Sequence, residues 1–351
     1  MSQIHFTESR ASRRKLLGTA AGFALSARLY RPAGAQSAAE WRNMPVDGSP
    51  PARWDHTLTA DDENRRLIVF GGHGADFEPL GDTWTYSFGD QTWSQLDLTG
   101  PDPRFGHAVA IDPEARRMLL FGGQSADLFF NDSWAFGFES LEWTRLDDGS
   151  DSAPTPRYGL SAVLDDKRRF LISHGFTFDG RFNDTWAFAQ DTASWTDVSP
   201  AGNGVRPLNR CLHEQVWDPA TKTMLLYGGC SSGFGPCPQG DLWRYAPRDQ
   251  IWTELTPPSG PAARTNPALV HDRSGERVIL IGGSTESGYA ADVWAGTDDG
   301  DAFAWTPIEV GGEAPVGRAS HDAVVHRGDV YLFGGTSDSG ALNDLWKLSL
   351  G

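Results

Sequence analysis

The tripeptide Asp-x-Trp recurs six times, beginning at Asp82, Asp132, Asp184, Asp241, Asp292 and Asp344, at intervals of about 50 residues. Upstream of each stands a short apolar run closed by glycine: Gly71-Gly72, Gly122-Gly123, Gly228-Gly229, Gly282-Gly283 and Gly334-Gly335, with His174-Gly175 as the one degenerate pair. Each copy opens with an arginine, at Arg53, Arg104, Arg157, Arg210, Arg264 and Arg318, and five end in a second tryptophan, at Trp93, Trp143, Trp195, Trp252 and Trp305. A unit of this length cannot bury its apolar face alone, so the copies must stack on one another. The repeat therefore dictates one modular domain.

Within a copy the pieces read as strands. In the second, the run from Ala108 to Ile111 leads to a turn at Asp112-Pro113-Glu114-Ala115, where proline presets the backbone angle and aspartate bonds its own backbone. Met118 to Phe121 is a buried strand ending at the glycine pair. Trp134 and Phe136 share a face because side chains alternate along a strand, and Trp143 to Leu146 is the fourth strand. The 40 Gly, 22 Pro and 14 Trp suit repeated short strands, and no long amphipathic helical pattern follows the N-terminal segment.

A glycine pair closing the second strand, Asp-x-Trp-x-aromatic opening the third and a tryptophan on the fourth together resemble the kelch-repeat β-propellers. The resemblance implies an all-β, six-bladed kelch-type β-propeller over residues 36–351, with four antiparallel strands per blade. The last copy carries Trp346-Lys347-Leu348 but no fourth strand, whereas Trp41-Arg42-Asn43-Met44 is a fourth strand with no copy before it. Trp41 is therefore expected to complete the last blade, pairing the N-terminal strand with the C-terminal one and removing exposed edges.

Residues 1–35 read as a twin-arginine-type export signal: Arg13-Arg14-Lys15-Leu16-Leu17, an apolar stretch to Ala27, and the small-x-small site Ala33-Gly34-Ala35. That stretch is too short for a stable membrane span. A periplasmic or secreted monomer is expected. The net charge of −16 argues against nucleic acid or anionic lipid as partners drawn by overall attraction.

Strand order places the arginine loops and the loops after the glycine pairs on one face. Kelch side chains at this level surround the mouth of the central channel. One reading makes Arg53, Arg104, Arg157, Arg210, Arg264 and Arg318 a ring of guanidiniums that takes a small anionic ligand or an acidic segment of another protein. The other pairs them with Asp82, Asp132, Asp184, Asp241, Asp292 and Asp344, since a buried arginine needs a partner in either role. Function is expected to be ligand or protein binding through this arginine-rich face. The alternative is an extracytoplasmic enzyme acting on a small anionic or carbohydrate-like substrate, with the fourth copy supplying the site and a metal assisting.

Three residues after the arginine stand His56, His107, His213 and His321, either imidazoles converging on a metal or packing residues, with Leu160 and Pro267 in the other two copies. His73, Asp76 and Glu78 form a second polar group or a solvated loop. The iron loop of nitrile-specifier proteins, Glu-x-x-x-Asp-x-x-x-His, is matched at Glu78 and Asp82 but has Tyr86 in place of its histidine.

Cys211, Cys230 and Cys237 all fall in the fourth copy. In an oxidising compartment two are expected to form a disulfide. Cys230 with Cys237 would staple a loop, while a hairpin turning at Asp218-Pro219 also brings Cys211 opposite Cys230. The remaining thiol, near Arg210 and His213, is either inert or available for metal or redox chemistry. The spacing matches no zinc pattern, and no cofactor is expected. Function should sit where the repeat fails, at Leu160, His174, Pro267 and the cysteines.

Overall fold

The computed structural model describes residues 39–351 apart from positions 46 and 203. The export-signal expectation for residues 1–35 lies outside the described residues. Five copies are four-stranded antiparallel sheets whose strands lie side by side in chain order, and the sixth is completed by a strand from the N-terminal side. Blade two consists of Ala108–Asp112, Arg117–Phe121, Ser133–Gly137 and Trp143–Asp147. Six such blades form the propeller expected from the repeat. The first strands, Thr57–Asp61, Ala108–Asp112, Ser161–Leu164, Glu214–Asp218, Ala268–Asp272 and Asp322–His326, surround a central channel of about 680 Å³. No helix among the described residues is long and apolar enough to cross a membrane.

The second strand of each blade carries a continuous apolar run because both of its faces are covered. Leu67, Ile68, Val69 and Phe70 are all buried, their alternate side chains serving opposite neighbours. The core is thereby divided into six clusters, each between adjacent blades. Ile68 and Phe70 of blade one, for instance, pack with Met118, Leu120, Phe136 and Trp143 of blade two.

The tryptophan of each fourth strand seals such a cluster. Trp143 lies 4.8 Å from Phe70, ring to ring, and its Nε1 donates to Thr83 Oγ1 at 3.0 Å. Trp195 and Trp252 donate likewise to Ser133 and Thr185, each at 3.2 Å. The acceptor is the middle residue of the preceding blade's Asp-x-Trp. Where that residue is Leu242 or Leu345, the N–H of the following Trp305 or Trp93 has no acceptor.

The ring closes as expected. Ala39–Met44 pairs antiparallel with Leu345–Ser349, Glu40 opposite Ser349 and Met44 opposite Leu345. Trp41 is buried edge-on to Trp346 at 6.5 Å. One strand was not foreseen: Val310–Gly312, from the segment joining the last two blades, pairs parallel with Ala39–Trp41. The closing blade therefore has five strands, and its N-terminal strand is not its edge.

Candidate binding face and central channel

Each repeat arginine follows one path into its blade. Arg104 grips Asp132 with Nη1 and Nη2 at 2.6 and 3.0 Å, reaches the Gly122 carbonyl with Nη1 at 3.0 Å, and donates from Nε to the Asp102 carbonyl at 3.0 Å. The same bidentate pair joins Arg53 to Asp82, Arg157 to Asp184, Arg210 to Asp241, Arg264 to Asp292 and Arg318 to Asp344. The indole N–H two residues on donates to the same carboxylate, at 2.6 Å for Trp84 and 2.7 Å for Trp134. Asp-x-Trp is thus a single hydrogen-bonding device that holds the arginine. Burial pushes the Asp82, Asp292 and Asp344 carboxyls up, but the arginine and indole hydrogen bonds and the arginine charge outweigh it, leaving them below the ordinary range.

All six arginines are between 0 and 2 % exposed. The expectation that they ring the mouth to take an anion is therefore corrected: the donors are spent on carboxylate and carbonyl oxygens, and no surface of them faces the channel.

Two residues after each arginine, the chain turns inward in the left-handed region, at Asp55, Gly106, Gly159, Leu212, Asn266 and Ser320, with φ between 48° and 63°. At Gly106 an added Cβ would come within 2.5 Å of the Tyr158 ring, so glycine is required there. The N–H of Asp55 donates to the Ser320 carbonyl, Ser320 to Asn266, Asn266 to Leu212, Leu212 to Gly159, Gly159 to Gly106, and Gly106 back to Asp55, at 2.7 to 3.0 Å. Six blades are thus stitched into a closed circle of peptide hydrogen bonds at the arginine end of the channel.

What faces the channel is acidic. Asp55 accepts from Asn266 Nδ2 at 3.2 Å, Glu214 from Ser161 Oγ at 3.1 Å, and Asp322 from the Leu58 N–H at 2.7 Å, each bond crossing between blades. No arginine or lysine among the described residues pairs with any of the three. Burial raises Asp55 to about 6, Asp322 to about 7 and Glu214 to about 8, the Asp322 charge adding to the effect on Glu214.

The histidines do not converge. His56 lies edge-on to Phe333 at 5.4 Å, and His107 to Phe70 at 5.3 Å, each in a seam between blades. Burial, then the neighbouring arginine, lowers His107, His213 and His321 to about 3, so all three are neutral. Leu160 packs in the seam between blades two and three. His174, where other copies have glycine, adopts φ 60° and offers its carbonyl to Arg157 at 2.8 Å, and is a structural substitute.

In blade four the sulfurs are divided. Cys230 and Cys237 form a disulfide with their Cα atoms 4.4 Å apart, while Cys211, opposite Cys230 in the backbone register, is a buried free thiol. Of the residues named for metal or redox chemistry, Cys230 and Cys237 are joined in the disulfide, and the remaining thiol is the buried Cys211. Burial raises the Cys211 thiol, which makes it a poor nucleophile.

The same face carries a feature unrelated to the repeat. Aromatic rings run continuously from blade one to blade three: Phe77 to Trp54 at 5.2 Å, Trp54 to His73 at 5.2 Å, His73 to Phe105 at 3.6 Å, and Phe105 to Tyr158 at 5.7 Å. From Tyr158 the arc continues through Phe129 at 6.3 Å to Phe178 at 4.8 Å. Its two ends are open to solvent, with Phe77 73 % and Phe178 66 % exposed, while Phe105 in its middle is buried; Leu128, beside Phe129 in the chain, is 59 % exposed. His73 is a stacking element here rather than part of a polar cluster with Asp76 and Glu78, and burial lowers its pKa.

The family model described as the KLHDC2/KLHL20/DRC7 Kelch-repeats domain matches residues 35–229 and 219–351. The chain belongs to this kelch-repeat family. Among curated proteins, the Leucine-zipper-like transcriptional regulator 1 homolog of Drosophila melanogaster is 26% identical over 82% of this chain and 30% of its own length. Multiple epidermal growth factor-like domains protein 8 of Rattus norvegicus is 27% identical over 67% of this chain and 9% of its own. Acyl-CoA-binding domain-containing protein 4 of Arabidopsis thaliana is 30% identical over 45% of this chain and 24% of its own. The chain thus spans less than a third of the length of each of these relatives.

In this kelch propeller the repeat residues are the frame, and the groups open to a partner are those that the repeat leaves free. The arc and the channel carboxylates escape a repeat-based reading because they occupy variable positions. The available signal was comparison across copies: aromatic or leucine tips at Phe77, Leu128 and Phe178 against Glu286-Ser287-Gly288 and Asp338-Ser339-Gly340 in blades five and six.

Proposed function

We propose that this kelch propeller is a binding module for another protein, working through the face that carries the arginine loops and the hairpins after the glycine pairs. The exposed apolar tips of blades one to three, Phe77, Leu128 and Phe178, carry this reading: large apolar side chains left open on one face mark an interaction site, and nothing in the repeat requires them. The buried arginine–aspartate pairs support it by holding the loops rigid, which lowers the ordering cost of binding. The twin-arginine pattern at Arg13-Arg14 supports action outside the cytoplasm.

A photo-crosslinking residue placed at Phe77 or Leu128 in producing cells should give a discrete protein adduct, and one at the outer-strand position Thr253 should not. Equal labelling from all three positions, or none from the first two, would sink the proposal. Export is tested separately: Arg13→Lys with Arg14→Lys should retain the protein in the cytoplasm.

A further inference from the structure

The hairpin tips of blades one to three share a composition as well as a position. In blade one Phe77 is flanked by Asp76 and Glu78, in blade two Leu128 follows Asp127, and in blade three Phe178 precedes Asp179, all of them exposed. Each large apolar tip therefore has an exposed carboxylate beside it. Arg181 is the one arginine on these hairpins, and it is engaged, lying over the Phe176 ring and donating to the Ser232 carbonyl at 2.7 Å. His73 is held neutral by burial. Behind the tips, the polar sector of the peptide circle presents Asp55.

Phe77 adds a second argument. It adopts φ 66°, a conformation costly for a bulky side chain, and yet is 73 % exposed. Strain retained at a residue that gains little burial points to a use outside the fold. Blades five and six, with the same hairpins, carry Glu286 and Asp338 without any large apolar neighbour at the tip, so the pairing of apolar and acidic groups is specific to one sector.

We infer that the sector of blades one to three docks an extended segment of another protein that is basic and carries at least one aromatic or aliphatic side chain. This rests on the binding-module reading and adds the sign and composition of the partner. Lysine or arginine side chains meet Asp76, Glu78, Asp127 and Asp179 at the rim and can lie over the ring faces, while the apolar side chain fills the surface between Phe77, Leu128 and Phe178. The protein's net charge of −16 draws such a segment in from solution. An acidic segment, the partner expected from the arginine count, would meet four carboxylates with no free guanidinium opposite.

The test uses a phage-displayed library of linear 12-residue peptides selected on the purified protein, followed by fluorescence anisotropy of the synthesised winners. Enriched peptides should carry net positive charge with an aromatic or aliphatic residue. Their affinity should fall at least tenfold with Phe77→Ser plus Phe178→Ser, fall with Asp76→Asn plus Glu78→Gln, and weaken with added salt. These side chains are exposed, so unchanged melting temperatures should accompany the losses. Enriched peptides that are acidic, or whose binding ignores both double variants, overturn the inference. Winners weakened only by Tyr289→Ser on blade five overturn it while leaving the binding-module reading standing. A library without winners, beside a glycan array with a clear one, overturns both.

Discussion

A guanidinium sealed in a blade is held by geometry as much as by charge. Arg104 uses both forks on Asp132 and has no access to water. Arg104→Ala should cost about 3–5 kcal/mol in denaturant unfolding, because it strands a carboxylate in low dielectric. Arg104→Lys should recover less than half of that loss, since an ammonium cannot span both oxygens and the Gly122 carbonyl. Full rescue by lysine would show that charge alone matters. The arginine and aspartate positions were plain in the sequence, but the choice between a sealed pair and an open ring depends on side-chain direction, which spacing does not encode.

The channel carboxylates give a residue-scale pH dependence. Their folded pKa values of about 6 for Asp55, 7 for Asp322 and 8 for Glu214 lie above those of the unfolded chain. The native state therefore holds protons that the unfolded chain releases, and the resulting stability is complete below about pH 4 and lost as pH rises through those values. The neutral histidines act oppositely: folded values of about 3 for His107, His213 and His321 give stability that is present above 6.5 and lost as pH falls. Glu214→Gln isolates one contribution. Its melting temperature relative to the parent should rise steadily from pH 5 to pH 8, and a constant offset across that range would refute the assignment.

At the scale of the element, blade four shows how a loop can depart from the repeat while its strands do not. Its hairpin register is regular, from Glu214 opposite Tyr227 to Asp218 opposite Thr223, and the disulfide spans only the loop beyond. Cys237→Ser should cost about 2 kcal/mol, the loop-closure value for so short a ring. Cys211 should resist iodoacetamide in the native protein and react on unfolding; native labelling at the rate of an exposed thiol would contradict its burial. Alternation and turn residues made the strands legible. The pairing of Cys230 with Cys237 was not, because the strand register permits Cys211 opposite Cys230 equally well. The aromatic arc was hidden for a related reason: Trp54, Phe105 and Tyr158 each look like an isolated residue beside an arginine until the blades are set next to each other.

At the scale of the molecule, closure depends on one strand covered on both sides. Ala39–Met44 lies between Leu345–Ser349 and Val310–Gly312, and Trp41 plugs the last seam. Trp41→Ala should cost about 3–5 kcal/mol, the range for a buried large-to-small change. Deleting residues 36–46 should lower the melting temperature in one cooperative transition, and a truncation that melts with the parent would disprove closure by this strand. Counting tryptophans made the closure readable. The covering strand was not, since Val310-Gly311-Gly312 carries neither the alternation nor the aromatic residues of a strand and is ordered by its neighbour.

The circle of peptide bonds at the channel mouth has an electrostatic consequence. In a helix the peptide dipoles point the same way along the axis and add, which gives each end a partial charge. Here they follow one another head to tail around a closed loop, every N–H directed towards the preceding blade. Their tangential components cancel, so the backbone contributes little net field along the channel axis. The potential at the mouth is then set by side chains, Asp55 among them.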